Sequence, residues 1–359
     1  MKPFLHIAFL LSVSVALAQE GLYNSGNFTV HNNAQVGLHT NLINDANFDQ
    51  TNGLVGFYGN RPITVTGSIP PTFWDTEILM DNNVFLDIPL MVRNNVNFML
   101  GDFLTPTTTP TVNLNFMEDG FFGGESDASK VVGFAEVNNR NVFSFPVGDA
   151  EQLRPLTFNA QGTVPQAICA YFFENPSAPT SLSQTFNVEE KVNNIGTVTD
   201  REFWILQGNT PVQVTISWNT RSSLITIPNA TVESIIVVGW NKSSNQWVVI
   251  GNTAYSGDIT NGFVTSETFV PNDYAAITFG TVPLPTDTFA VNNPTLGNYF
   301  LSPNGDGIND FLVIDGMEES PNNSLRIFNR YGQKVFERIN YTNEFRGVAN
   351  TGSMVPNQA

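Results

Sequence analysis

The sequence predicts an all-β protein in three parts. These are an N-terminal region that is β-solenoid-like or irregular β, a central antiparallel β-sandwich, and a small C-terminal β-sandwich module. Three observations lead there. Only 13% of the 359 residues are charged, whereas Asn alone numbers 44, so polarity comes from amides and hydroxyls rather than ion pairs. Asn, Ser and Gly favour turns over helix interiors, and Thr, Val and Phe favour strands. Apolar residues also alternate with period two in short runs bounded by Asn, Gly and Asp.

The elements follow in order. Residues 1–18 carry Lys2, an apolar run from Phe4 to Leu17, and the small-x-small triplet Ala16-Leu17-Ala18. We read them as a secretory signal peptide cut after Ala18, against the alternative of a buried N-terminal helix. The run is short for a bilayer-spanning helix, and no later run is longer, so no transmembrane helix is expected in the mature chain. Residues 19–155 show strands such as Phe28-Thr29-Val30 and Gly53–Tyr58 between Asn/Gly turns. One strictly alternating run places Val84, Leu86, Ile88, Leu90 and Val92 on one face. This spacing suggests stacked rungs, although no exact period can be extracted. Residues 156–280 read as the sandwich. There, Val212, Val214, Ile216 and Trp218 alternate, and Trp240 and Trp247 sit at the two shoulders of a hairpin. Residues 281–298 are Pro-rich and aperiodic, a linker.

Composition excludes several functions. With 15 Lys+Arg against 32 Asp+Glu, the net charge of −17 repels phosphate backbones, so no nucleic-acid partner is expected. Most of that charge lies before residue 300. The single Cys169, in Ile168–Phe172, cannot form an internal disulfide and suits a buried apolar site. His31 and His39 are the only histidines after the leader, too few for a zinc site with its outer shell. Neither a Gly-x-Ser-x-Gly elbow nor a phosphate-binding Gly-x-x-x-x-Gly-Lys loop is present. The best enzyme case is a polysaccharide-acting glycosidase or lyase, for which two carboxylates suffice. Its candidates are Asp75/Glu77 beside Trp74, and Glu118/Asp119 before Gly120. A carbohydrate-binding alternative needs Trp218, Trp240 or Trp247 to face outward; the reading we favour puts them in the core.

The tail carries two long motifs. Ser302-Pro303-Asn304-Gly305-Asp306-Gly307-Ile308-Asn309-Asp310 is a dense turn cluster, and Phe311–Asp315 after it reads as a short strand. Ile327-Phe328-Asn329-Arg330-Tyr331-Gly332-Gln333-Lys334-Val335-Phe336 reads as a hairpin. Together, over residues 299–352, they resemble the gliding-motility-associated C-terminal domain family, the type B sorting domain of the type IX secretion system. The resemblance implies a targeting role, with the type IX machinery of a Gram-negative cell as partner. Family members carry Trp-Asp-Gly after the hairpin, where this chain has Phe345-Arg346-Gly347. They also continue into further strands, so the domain at 299–359 is expected to be incomplete. Phe145-Pro146-Val147-Gly148-Asp149 recurs in the passengers of such tails.

Asn304, Asp306 and Asp310 around Gly305 and Gly307 form a candidate Ca²⁺ loop. The competing reading is a set of Asx turns that needs no ion, and we expect no metal or cofactor. The expected protein is therefore a non-enzymatic, adhesin-like or structural protein, secreted or at the cell surface. Its expected partners are the export machinery and, outside the cell, surface glycans or other surface proteins.

Overall fold

A computed structural model describes residues 21–50, 52–283, 301–314, 323–329 and 332–351. It is 50% strand and 4% helix. The fold separates into two compact units. One comprises the described chain up to Glu190 together with Val198–Gly280, and the other comprises Lys191–Thr197 with the chain from Thr281. Ala16, Ala18 and most of the 281–298 segment lie outside the described residues.

The first unit begins as a β-solenoid of about five turns. Each coil adds a parallel strand to each of three faces. One face stacks Phe28–Val30, Phe48–Gln50, the start of Thr72–Met80, the start of Leu90–Leu100, and Leu114–Phe116. The next stacks Ala34–Leu38, Gly53–Gly59, the ends of the same two long strands, and Phe121–Gly123. The third runs through seven strands, from Gly21–Asn24 to Val147–Gly148.

Parallel, in-register stacking converts the period-two pattern into inward columns. Ile63, Val84, Phe103, Val131 and Val147 form one such column, each essentially inaccessible. Phenylalanines bridge the columns. Ring centroids step from Phe28 to Phe48 (4.6 Å), Phe73 (5.0 Å), Phe57 (6.2 Å), Phe103 (5.7 Å) and Phe98 (6.0 Å). They continue to Phe122 (6.1 Å), Phe143 (5.6 Å), Phe145 (5.1 Å) and Phe158 (5.9 Å). The last ring belongs to the sandwich, so the aromatic spine is continuous from the first coil into the next layer.

Polar groups at the turns bond between coils. Asn24 and Asn44 are buried, and Asn24 Nδ2 donates to Asn44 Oδ1 at 2.7 Å, while Asn44 Nδ2 donates to the Ile69 carbonyl at 2.7 Å. The ladder stops at Gly67, next in register, where φ is +128° and a Cβ would meet the Asn44 carbonyl oxygen at 2.2 Å. Asn83 Oδ1 accepts the Asp102 N–H, and Asp102 Oδ1 accepts the Lys130 N–H one coil later.

The alternating run through Val84–Val92 is not one strand. Val84–Leu86 lies on the third face, and the chain turns a corner at Asp87–Pro89 before Leu90–Leu100 starts the first face. Pro89 lacks the N–H that a continuous ladder needs.

Pairing changes from parallel to antiparallel across one strand. Ala135–Phe145 pairs in parallel with Leu114–Phe116 on one side and antiparallel with Leu156–Phe172 on the other. The latter strand pairs with Phe203–Gln207 and Gln213–Trp218, and the sheet continues through Asn261–Thr265 and Ala254–Asp258. Ile235–Asn241 and Gln246–Gly251 form the expected hairpin, with Trp240 directly opposite Trp247. Trp218, Trp240 and Trp247 are all buried, and Cys169 is a buried free thiol whose pKa is pushed up by desolvation.

The Phe145–Asp149 motif joins the last coil to the sandwich. Phe145 continues the spine, and the Pro146 carbonyl accepts the Val131 N–H. A Cβ on Gly148 would lie 2.1 Å from the Gln152 carbonyl oxygen. Asp149 takes a two-pronged bond from Arg221 at 2.5 and 3.1 Å, and the Arg221 guanidinium lies 3.9 Å from the Phe173 ring centroid. Partial burial pushes the Asp149 pKa up, but Arg221 and the N–H groups of Gln152 and Glu151 hold it below the usual range. Deeper, Arg154 donates to Glu202 Oε2 at 2.7 and 3.1 Å, and Tyr171 donates to the same oxygen.

In the second unit, Ser324–Phe328 pairs antiparallel with Lys334–Ile339. Ile314, Phe336, Tyr341 and Phe345 form its small core. Phe345 thus fills an interior position beside Phe336, at 4.6 Å between centroids, and Arg346 lies over Phe311. The strand expected over Phe311–Asp315 is absent in its described part, 311–314. There the Leu312 N–H bonds the Phe345 carbonyl and the Ile314 N–H bonds Asn343 Oδ1, so no ladder forms.

The spine carries a direct test. Phe103→Ala opens a cavity among Phe57, Phe98 and the Val84/Val131 column and should cost about 3–5 kcal/mol in urea unfolding. Phe121, on the outer surface and 54% exposed, should tolerate Ala within about 0.5 kcal/mol.

Candidate functional site

The tail motif builds a closed turn system from its own side chains. Asp310 Oδ1 accepts the Gly305 N–H at 2.7 Å and Oδ2 accepts the Gly307 N–H at 2.9 Å. Asp306 Oδ1 accepts the Ile308 N–H at 2.8 Å, and its other oxygen takes a bond from Asn304 Nδ2. Asn304 Oδ1 accepts the Asp306 N–H, and the Asn309 carbonyl accepts the Ser302 N–H. Gly305, Gly307 and Asn309 have φ of +80°, +85° and +56°, which explains why two glycines and an Asn occupy these positions. Pro303 pre-bends the entry to this loop. The backbone bonds from Gly305 and Gly307 hold Asp310 below the ordinary carboxylate range, and the Ile308 N–H with Asn304 does the same for Asp306.

The second motif forms the hairpin turn. Asn329 Oδ1 accepts the Gln333 N–H at 3.0 Å, the Asn329 carbonyl accepts the Gly332 N–H, and Gly332 has φ +77°. Phe328, at the edge of this turn, is 56% exposed, and Ile308, at the tip of the loop, 67%. Arg330 and Tyr331 lie outside the described residues.

The structure keeps the first candidate pair together on one strand and engages both of its members. Asp75 and Glu77 lie on the outer surface of Thr72–Met80. Asn94 Nδ2 donates to Asp75 at 2.6 Å, Asn97 Nδ2 reaches Glu77 at 3.4 Å, and the Tyr58 hydroxyl donates to Glu77. Partial burial, with the Glu77 bond, raises the Tyr58 pKa to about 12. Glu118 and Asp119 lie at a solenoid corner, where Glu118 has φ +27°. His31 and His39 are exposed, and the His39 ring lies tilted against Tyr58 at 5.7 Å between centroids. Among the described residues, no group of three His, Cys, Asp or Glu could hold a metal ion. No described helix is long and apolar enough to cross a membrane.

Reading the sequence missed the buried pairs Asp102–Lys130 and Arg154–Glu202. Only their partners 28 and 48 residues away distinguish them from surface charges.

The loop geometry predicts a pH response. Folded-state pKa values below the unfolded Asp value of about 3.9 mean that the order imposed by Asp306 and Asp310 is complete above that value. It is lost as pH falls through the lowered pKa. The Gly305 and Gly307 amide shifts, followed by NMR, should titrate together with a midpoint below 3.9, and Asp310→Asn should abolish the titration.

No curated protein and no solved structure matches the chain. One family does. Residues 295–358 match the CHU_C type IX secretion signal domain, so the chain carries this sorting domain at its C-terminus and is exported by the type IX secretion system, across the outer membrane to the cell surface or the exterior.

Proposed function

We propose that the passenger is a structural and adhesive protein rather than an enzyme, displayed on or released from the cell surface after removal of residues 1–18. The observation that carries this reading is the outer surface of the solenoid. Two of its four candidate carboxylates are held by amides of the following coil, Asp75 by Asn94 and Glu77 by Asn97. Such side chains contribute to a stiff stacked body and are not left facing a substrate. The aromatic spine and the Asp149–Arg221 clamp add to that stiffness, which suits a part that bears load or presents a surface. The glycosidase or lyase alternative would need one of the pairs, Asp75/Glu77 or Glu118/Asp119, to flank a bound polysaccharide.

Two measurements test the reading. Deleting residues 295–358 should retain the passenger in the periplasm, while the full chain appears outside. Cells displaying the full chain should bind surfaces, glycans or neighbouring cells more strongly than cells lacking it, and Asp75→Asn with Glu77→Gln should leave that adhesion unchanged. Turnover of a polysaccharide that disappears in the double variant would establish the enzyme instead.

A further inference from the structure

The sandwich sheet is interrupted on one side of its longest strand. In Leu156–Phe172, residues up to Asn159 pair with Gln213–Trp218, and residues from Ile168 pair with Phe203–Gln207. Between them, four residues, Ala160 to Thr163, oppose the single Asn141 of the neighbouring strand. That is an enlarged, irregular bulge, which bends the strand and leaves ladder groups unpaired.

Two clefts, of about 240 and 390 Å³, open at this interruption, and a third of about 240 Å³ lies beside them. They adjoin, because Thr210 lines both the first and the second and Gln207 lines both the first and the third. The third has an aromatic floor that includes Phe134 and Tyr274; the other two are walled largely by amides and hydroxyls.

Two properties single out this trough. In a chain with 32 Asp+Glu, no carboxylate among the described residues lines any of the three clefts, and Lys242 is the one cation that does. In addition, the Asn159, Gln161, Gln184 and Gln207 side chains make no hydrogen bond among the described residues. The other lining amides, Gln166, Asn209, Gln213 and Asn272, are bonded within the sandwich, as solenoid amides are to the next coil.

We propose that the three clefts form one trough that binds a neutral glycan chain. An unengaged amide presents a donor and an acceptor side by side, which matches adjacent sugar hydroxyls, and Tyr274 offers a ring to a sugar's apolar face. The absence of carboxylates spares a neutral ligand the desolvation of fixed charge. Three adjoining clefts suit an extended polymer better than a single small molecule.

The inference rests on the adhesive reading above, but its experiment does not require export. The purified full chain is run in native gels containing a soluble β-glucan, a galactomannan, a xylan or alginate. Retardation by at least one neutral polymer is expected. Gln207→Ala and Gly162→Trp should each weaken it at least tenfold with an unchanged unfolding temperature. Gly162 is a suitable blocking position because a Cβ there meets nothing within 4 Å. Retardation by no neutral polymer, retardation by alginate alone that Lys242→Ala abolishes, or neutral binding indifferent to both variants would overturn the trough. The same variants on displaying cells separate the two readings: adhesion that survives both substitutions leaves the adhesive passenger standing and removes the trough.

Discussion

Closure of a parallel coil around an apolar interior is the constraint on which the first unit depends. Each coil buries three short strands only if the inward positions of successive coils fall in register, about 4.8 Å apart. Phenylalanine meets that condition well. A ring is wide enough to reach the ring of a neighbouring strand or coil, and edge-to-face contacts gain energy beyond area burial. The spine from Phe28 to Phe158 therefore ties coils to one another and to the sandwich. Because Phe143 and Phe145 sit on the strand that pairs both ways, the antiparallel sheet inherits its position from the last coil.

The abundance of Asn has the same origin. Equivalent residues of neighbouring coils lie within contact distance, so a repeated carboxylate or ammonium would face its own charge. An amide both donates and accepts, and it can stack on its own kind, as Asn24 does on Asn44. Carboxylates on a strand face, Asp75 and Glu77, are held by amides, whereas Asp102 meets an opposite charge at a turn between coils. There the Asp102–Lys130 pair shows the cost of burial: desolvation raises the Asp102 pKa even with Lys130 alongside to lower it.

Much of this was legible in the sequence, and what was not has physical causes. The tail motifs were readable because positive-φ turns demand Gly and Asn at fixed positions. The Trp240/Trp247 hairpin was readable from alternation on both strands. The repeat period was not. In-register partners stand 21 residues apart at Ile63 and Val84, 19 at Val84 and Phe103, 28 at Phe103 and Val131, and 16 at Val131 and Val147. Stacking fixes the columns but leaves corner lengths free, so insertions such as Thr105–Asn113 erase the period without disturbing the core. Alternation also runs through a corner unseen, as at Val84–Val92, because a corner changes the face and not the inward sense. The Asp149–Arg221 clamp joins residues 72 apart and leaves no local trace.

The two behaviours of the amides follow from a single difference in topology. On the solenoid, a side chain at one coil always has a neighbour at the next, so Asn94 meets Asp75 and Asn44 meets the Ile69 carbonyl. In the sandwich, the bulge at Ala160–Thr163 and the Gly208–Val212 connection remove that neighbour from one stretch of sheet. Asn159, Gln161 and Gln207 there keep their hydrogen-bonding capacity on a scaffold whose strands are fixed on both sides of the gap, while Gln166, Asn209, Gln213 and Asn272 are bonded. A stretch of surface that is both ordered and unsatisfied differs from a mobile loop, because the entropy of arranging its polar groups has already been lost on folding. The stiffness of the stacked body and the open amides of the interrupted sheet are thus two consequences of where the ladder continues and where it stops.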